Sequence, residues 1–144
     1  MCKVVAWKSY GGWTGPFGLA VSGEAIDYVD ALSQIVGPRW LETYRVQSDG
    51  EVLELVREGV PDAIVLDEDA IAVDTLKLLR AIRQLNQALL VVLLTARSDR
   101  RWLEEALRLA AFSVVAKPLR LEELLVQIHR MMVRLDAVLR HPGF

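Results

Sequence analysis

Three apolar runs, each closed by a polar residue, constrain this chain more than any other feature. Ala63 to Leu66 ends in Asp67, Leu89 to Leu94 ends in Thr95, and Phe112 to Ala116 ends in Lys117-Pro118. Short apolar runs separated by helical spacing read as parallel strands covered on both faces. In an open α/β sheet the carboxyl ends of such strands line one crevice, so an acid, a hydroxyl and an amine are expected to meet there. These are the group types that phosphoryl transfer uses.

The remainder of the chain supplies elements to match. A strand is expected over Gly18 to Val21 and a helix over Glu24 to Val36, with Ile26, Val29, Leu32 and Val36 inward and Gly37-Pro38 as its stop. A second strand is expected near Leu41 to Val46, where Leu41, Thr43 and Arg45 alternate with other side chains as in an edge strand. Ser48 or Asp49 caps the next helix, which carries Val52, Leu53, Leu55 and Val56 and ends at Gly59 and Pro61. Between the first two of the three marker runs, Val73 to Leu85 reads as a helix with Leu76, Leu79, Ile82 and, if the face continues, Leu85 inward. Ser98 or Asp99 opens a fourth helix with Leu103, Leu107 and Ala110 inward, and Leu121 to Arg140 forms the last. Five βα units without repeats predict an α/β domain with a doubly wound, right-handed parallel sheet.

Composition narrows the function. The chain has 144 residues, 53% of them hydrophobic, enough for one domain with a core. A net charge of −2 with mixed signs gives no basic field for direct nucleic-acid binding and no polybasic membrane tail. No stretch is apolar enough to span a bilayer, no signal-peptide pattern opens the chain, and the lone Cys2 has no internal partner, so a cytoplasmic location is expected. Residues 1–17 form an arm rich in aromatics and glycine, with a short possible strand over Lys3 to Trp7; residues 18–140 form the domain and 141–144 a tail. Gly11 to Gly15 lacks the Gly-Lys-Ser/Thr ending of a phosphate loop. His129 and His141 lack metal-ligand spacing. The arginines at 97, 100, 101 and 108 read first as a solvated face.

With these residues in place, the chain resembles the receiver domain of two-component response regulators. Pro61 to Asp67 is similar to the segment that ends in that family's phosphoacceptor aspartate, Val91 to Ala96 to its Thr/Ser-Ala strand end, and Val115 to Pro118 to its lysine-proline signature. The resemblance covers Gly18 to about Val133. It implies the flavodoxin-like receiver fold, a five-stranded sheet of order 2-1-3-4-5, here with an extra N-terminal arm. It also implies Asp67 as the nucleophile that forms an acyl phosphate, Lys117 and Thr95 as contacts of the phosphoryl oxygens, and a cis peptide before Pro118. Such a domain is not an enzyme beyond its own phosphorylation from a donor.

The resemblance also marks departures. The family's acidic pair after strand one appears here as Ser22 and Gly23, leaving Asp67, the Asp69 backbone carbonyl and Glu24 as candidate ligands for Mg²⁺, which is expected to bind weakly. Ile71 and Thr75 stand where the family has proline and glycine, and Val114 replaces its aromatic switch residue. The implied partners are a sensor histidine kinase or another signalling protein, and a second copy of the chain through helices four and five, since the long apolar pattern of the last helix exceeds one domain face. Output is expected through protein contacts, unless the sequence is a fragment of a longer chain with an effector domain after Phe144. Two alternatives stand: a phosphorylated receiver, and a pseudo-receiver acting as a binding or dimerisation module, in which Asp67 and Lys117 are simply an ion pair.

Overall fold

The computed structural model describes residues 16–140, with side chains at all of these positions except 110, 111 and 136–140. Its five strands are β1 (Phe17–Ser22), β2 (Leu41–Val46), β3 (Ala63–Asp67), β4 (Leu90–Thr95) and β5 (Ala111–Ala116). The helices are α1 (Val29–Val36), α2 (Asp49–Glu58), α3 (Thr75–Leu85), α4 (Arg100–Ala110) and α5 (Leu121–Arg140). All neighbouring strands are parallel, in the order β2-β1-β3-β4-β5. This is the five-stranded, doubly wound sheet that the apolar runs and the resemblance imply. The possible strand at Lys3 to Trp7, the arm up to residue 15 and His141 lie outside the described residues.

Strand alternation divides the core in two. Leu19, Val21, Ala63, Val65, Val92 and Leu94 face one side, where Val29 and Leu32 of α1 and Leu124, Ile128 and Met131 of α5 cover them. Ala20, Ile64, Leu66, Val91 and Leu93 face the other, beneath Val52 and Val56 of α2, Leu78, Leu79 and Ile82 of α3 and Ala106 of α4. Because β1, β3 and β4 are buried along their whole lengths, they carry continuous apolar sequence, as centrally placed parallel strands must.

Several local expectations change. The helix expected from Glu24 begins as a 3₁₀ turn, Gly23–Tyr28, and becomes α-helical only at Val29. Gly23 enters that turn at φ +57, a conformation that favours glycine. In β2 burial does not alternate simply: Leu41 and Val46 are buried in the two different core layers, and Arg45 is exposed. α3 starts at Thr75, two residues late, because the Asp74 carboxylate accepts from the Leu76 and Lys77 N–H groups. Leu85 at its end is 41% exposed. The inward face of α4 is rotated from that expected: Ala106 is fully buried, with Trp102 and Leu109 packed against the same core, whereas Leu107 is 52% exposed.

Caps close the elements that deliver the site. Ser48 caps α2 by accepting from Glu51 N–H, and Gly59 ends that helix in the left-handed region. Arg83 on α3 donates to the backbone oxygens of Leu109, Asn86 and Gln87, tying the end of α4 to the turn before β4, and burial lowers its pKa.

The division of the core makes a simple expectation. Ile82→Ala and Leu93→Ala, one on a helix and one on the central sheet, should each destabilise the domain by about 2–5 kcal/mol. Ile35→Ala on the exposed side of α1 should stay within about 0.5 kcal/mol, all three read by urea unfolding.

Candidate functional site

Register fixes where the three marker residues lie. Asp67 pairs with Leu94 across β3 and β4, and Thr95 pairs with Ala116 across β4 and β5. Asp67, Thr95 and Lys117 therefore sit side by side at the carboxyl rim, with Lys117 N–H donating to the Thr95 carbonyl at 3.0 Å. The three expected residues are together.

Asp67 is the centre. It is 2% exposed, and both of its oxygens are engaged. Oδ1 accepts from Lys117 Nζ at 2.8 Å and from Asp69 N–H at 2.9 Å, while Oδ2 accepts from Glu24 N–H at 2.8 Å. A buried carboxylate costs several kcal/mol unless it is paired and hydrogen-bonded, and here a cation and two amides meet that requirement. Lys117 reaches the pocket with its side chain 13% exposed and also pairs with Asp69 Oδ2 at 2.7 Å. Burial alone would lower the Lys117 pKa, but hydrogen bonds to Asp67 and Asp69 outweigh it and the net shift is upward. The ammonium is charged throughout the neutral range. The Lys117-Pro118 peptide is cis.

The Ser22-Gly23 stretch is built into this arrangement. Ser22, 4% exposed, donates from Oγ to the Val65 carbonyl at 3.2 Å and accepts from Asp67 N–H at 2.9 Å. It bridges β1 and β3 where their ladder ends. Gly23 lies so close that a Cβ on it would stand 2.3 Å from Asp67 Oδ2 and 2.5 Å from Asp67 Cβ. Only a residue without a side chain fits there.

The Glu24 carboxylate is committed elsewhere: its Oε2 accepts from Leu119 N–H. The Tyr28 hydroxyl donates to the Leu119 carbonyl at 2.7 Å, so the turn after β1 grips both backbone groups of the residue just beyond Pro118. The sequence offered Glu24 only as a candidate for a weakly bound metal and gave Tyr28 no part. Among the described residues no group of three His, Cys, Asp or Glu side chains is placed to hold a metal ion. Mg²⁺ prefers one or two carboxylates with several further oxygens, and Asp67 with the Asp69 carbonyl is a short donor set beside a lysine ammonium. The residues present do not fit a tightly held ion.

Thr95 is 1% exposed and is held by a group the sequence did not suggest. Its hydroxyl donates to Glu68 Oε1 and accepts from Arg97 N–H at 3.0 Å. An acidic residue directly after Asp67 was the available signal for Glu68, but nothing in the spacing tied it to Thr95. Val114 lines a cleft of about 520 Å³ between β5 and α4, together with Thr95, Leu103, Leu107 and Ala116.

A sequence model of the response regulator receiver domain matches residues 24–129. The chain belongs to the response regulator receiver domain family. It is 22% identical over 93 residues to sporulation initiation phosphotransferase F of Bacillus subtilis, covering 65% of this chain and 75% of that protein. A CheY-like receiver domain from Methanospirillum hungatei superposes with a TM-score of 0.72 at 15% identity, covering 85% of this chain and 98% of that one. A response regulator from Burkholderia pseudomallei, solved with a phosphorylated aspartic acid, a calcium ion and citrate, gives 0.62 at 18% identity over 88% of this chain and 75% of its own.

The geometry of this receiver domain makes two expectations. Gly23→Ala should cost at least about 1–3 kcal/mol in urea unfolding, since the new methyl meets Asp67 and the backbone sits at positive φ. For Lys117, a raised folded pKa means that its stabilisation is complete below the ordinary value of 10.5 and is lost as pH rises beyond it. The stability difference between wild type and Lys117→Met should therefore be flat between about pH 7 and 9 and shrink at higher pH.

Proposed function

We propose that this receiver domain works as a signalling module in a two-component pathway, with Asp67 as its phosphoacceptor and output through protein contacts. The observation that carries this reading is the Lys117 ammonium 2.8 Å from Asp67 Oδ1 on a shared rim with the Thr95 hydroxyl. In the proposed step an Asp67 carboxylate oxygen attacks the phosphorus of a donor. A new P–O bond makes the acyl phosphate while the donor's leaving group departs with the other electron pair. Lys117 is the fixed positive charge for the oxygens of the transferred group, and Thr95 a hydrogen-bond donor to one of them. The donor in a pathway of this type is the phosphohistidine of a sensor kinase or of a phosphotransfer protein.

Mg²⁺ affinity is weak in this reading, with Asp67 and the Asp69 carbonyl as its protein ligands and Glu24 held by Leu119. A homodimer through α4 and α5 accounts for the apolar side chains left in solvent there, Leu107, Val126 and Val133. We place the domain in the cytoplasm, in keeping with the absence of any helix among the described residues long and apolar enough to cross a membrane.

One observation favours a second reading. Both oxygens of Asp67 already have partners, and Gly23 and Glu24 press against Oδ2 where a metal-binding acid would stand. A domain so closed serves as a phosphorylation-independent binding or dimerisation module. Incubation with acetyl phosphate at high Mg²⁺, followed by intact-mass measurement, separates the two. The first reading expects an added phosphoryl mass in wild type and none in Asp67→Asn; no addition to either would reject it in favour of the second.

A further inference from the structure

The turn that follows Asp67 is tied to the helix across the rim. Glu68 heads the short 3₁₀ turn Glu68–Ala70, and its side chain is 18% exposed. One carboxylate oxygen accepts the Thr95 hydroxyl, and the other lies 3.6 Å from Arg97 Nη1. The Arg97 guanidinium stacks 4.2 Å from the centre of the Trp102 ring in the first turn of α4. It also pairs with Asp99 at 3.1 Å, and the Arg97 N–H returns to Thr95 Oγ1. Glu68, Thr95, Arg97 and Trp102 form a closed chain of contacts from the loop beside the buried aspartate to the start of α4.

The contacts are unequal. Asp69 is 69% exposed, so its pairing with Lys117 is partly screened by solvent. Glu68 is largely shielded from water and bonds a hydroxyl that is itself buried, which strengthens a charge-assisted hydrogen bond. Thr95 has one hydroxyl proton, and Glu68 holds it. Any other anion beside Asp67 that takes this proton must first displace Glu68.

We propose that Glu68 is a positioning residue, an internal anion that holds Thr95 and, through Arg97 and Trp102, fixes the first turn of α4 with no phosphoryl group bound. The latch rests on the contacts above and not on whether Asp67 accepts phosphate; that reading adds only the identity of the anion that would compete.

Hydrogen exchange of the full chain, without phosphodonor or metal, tests the latch apart from phosphorylation. Glu68→Ala and Thr95→Val should each speed exchange of amides 97–103 roughly tenfold, as loss of a charge-assisted hydrogen bond would. The double variant should exchange more slowly than the product of the two single effects, because both remove the Glu68–Thr95 bond they share. Glu68→Gln, which keeps an acceptor for Thr95 but loses the charge facing Arg97, should fall between. Unchanged exchange at 97–103 in Glu68→Ala, or additive effects in the double variant, would overturn the proposal. Should Glu68→Ala loosen β1 and α5 as well, Arg97→Gln cuts the latch at a solvent-facing residue. Its exchange at 97–103 must then rise while β1 and α5 stay protected, and unchanged exchange there would equally overturn it.

Discussion

A carboxylate with almost no exposure to water needs partners, and the rim of this domain is organised around supplying them to Asp67. Lys117 brings the charge, while the amides of Glu24 and Asp69 bring directed hydrogen bonds. Each partner comes from a different connection: the turn after β1, the turn after β3, and the end of β5. Holding one side chain therefore fixes three loops. The clamp of Glu24 and Tyr28 on Leu119 closes the same circuit from outside, linking the first of these loops to the last.

Ser22 and Gly23 stabilise this rim from the β1 side. Beside the carboxylate stand a buried serine that bridges two strands and a glycine that lets the backbone approach it. Backbone amides share the charge compensation of Asp67 with Lys117. The protonation of Lys117 is secured by the same neighbours, which hold its pKa above the ordinary lysine value despite burial.

How much of this was legible in the sequence depends on the range of the interaction. Continuous apolar runs marked β3 and β4 because strands buried on both faces have no polar side to show, and their terminal residues fell at one rim because all strands are parallel. Asp67, Thr95 and Lys117 could be brought together by that logic alone. The inward face of α4 could not: Leu103 and Leu107 matched the helical period, yet Ala106 is the fully buried residue, because packing against β4, β5 and α3 set the rotation. The 3₁₀ start of the first helical segment follows from Gly23 closing on Asp67, forty-four positions away, and no local propensity reports that. Glu24, Glu68 and Tyr28 have side-chain partners 95, 27 and 91 residues distant, so their roles depended on the fold being complete.

The most direct test of the account is a double-mutant cycle between Asp67→Asn and Lys117→Met, read as unfolding free energy at neutral pH and low salt. A buried, hydrogen-bonded ion pair at the centre of the rim should give a coupling of at least about 1 kcal/mol, with either single change costing more than its share of the double. A coupling indistinguishable from zero would mean that the two side chains do not meet, and would contradict the arrangement on which the site, its chemistry and its loops depend.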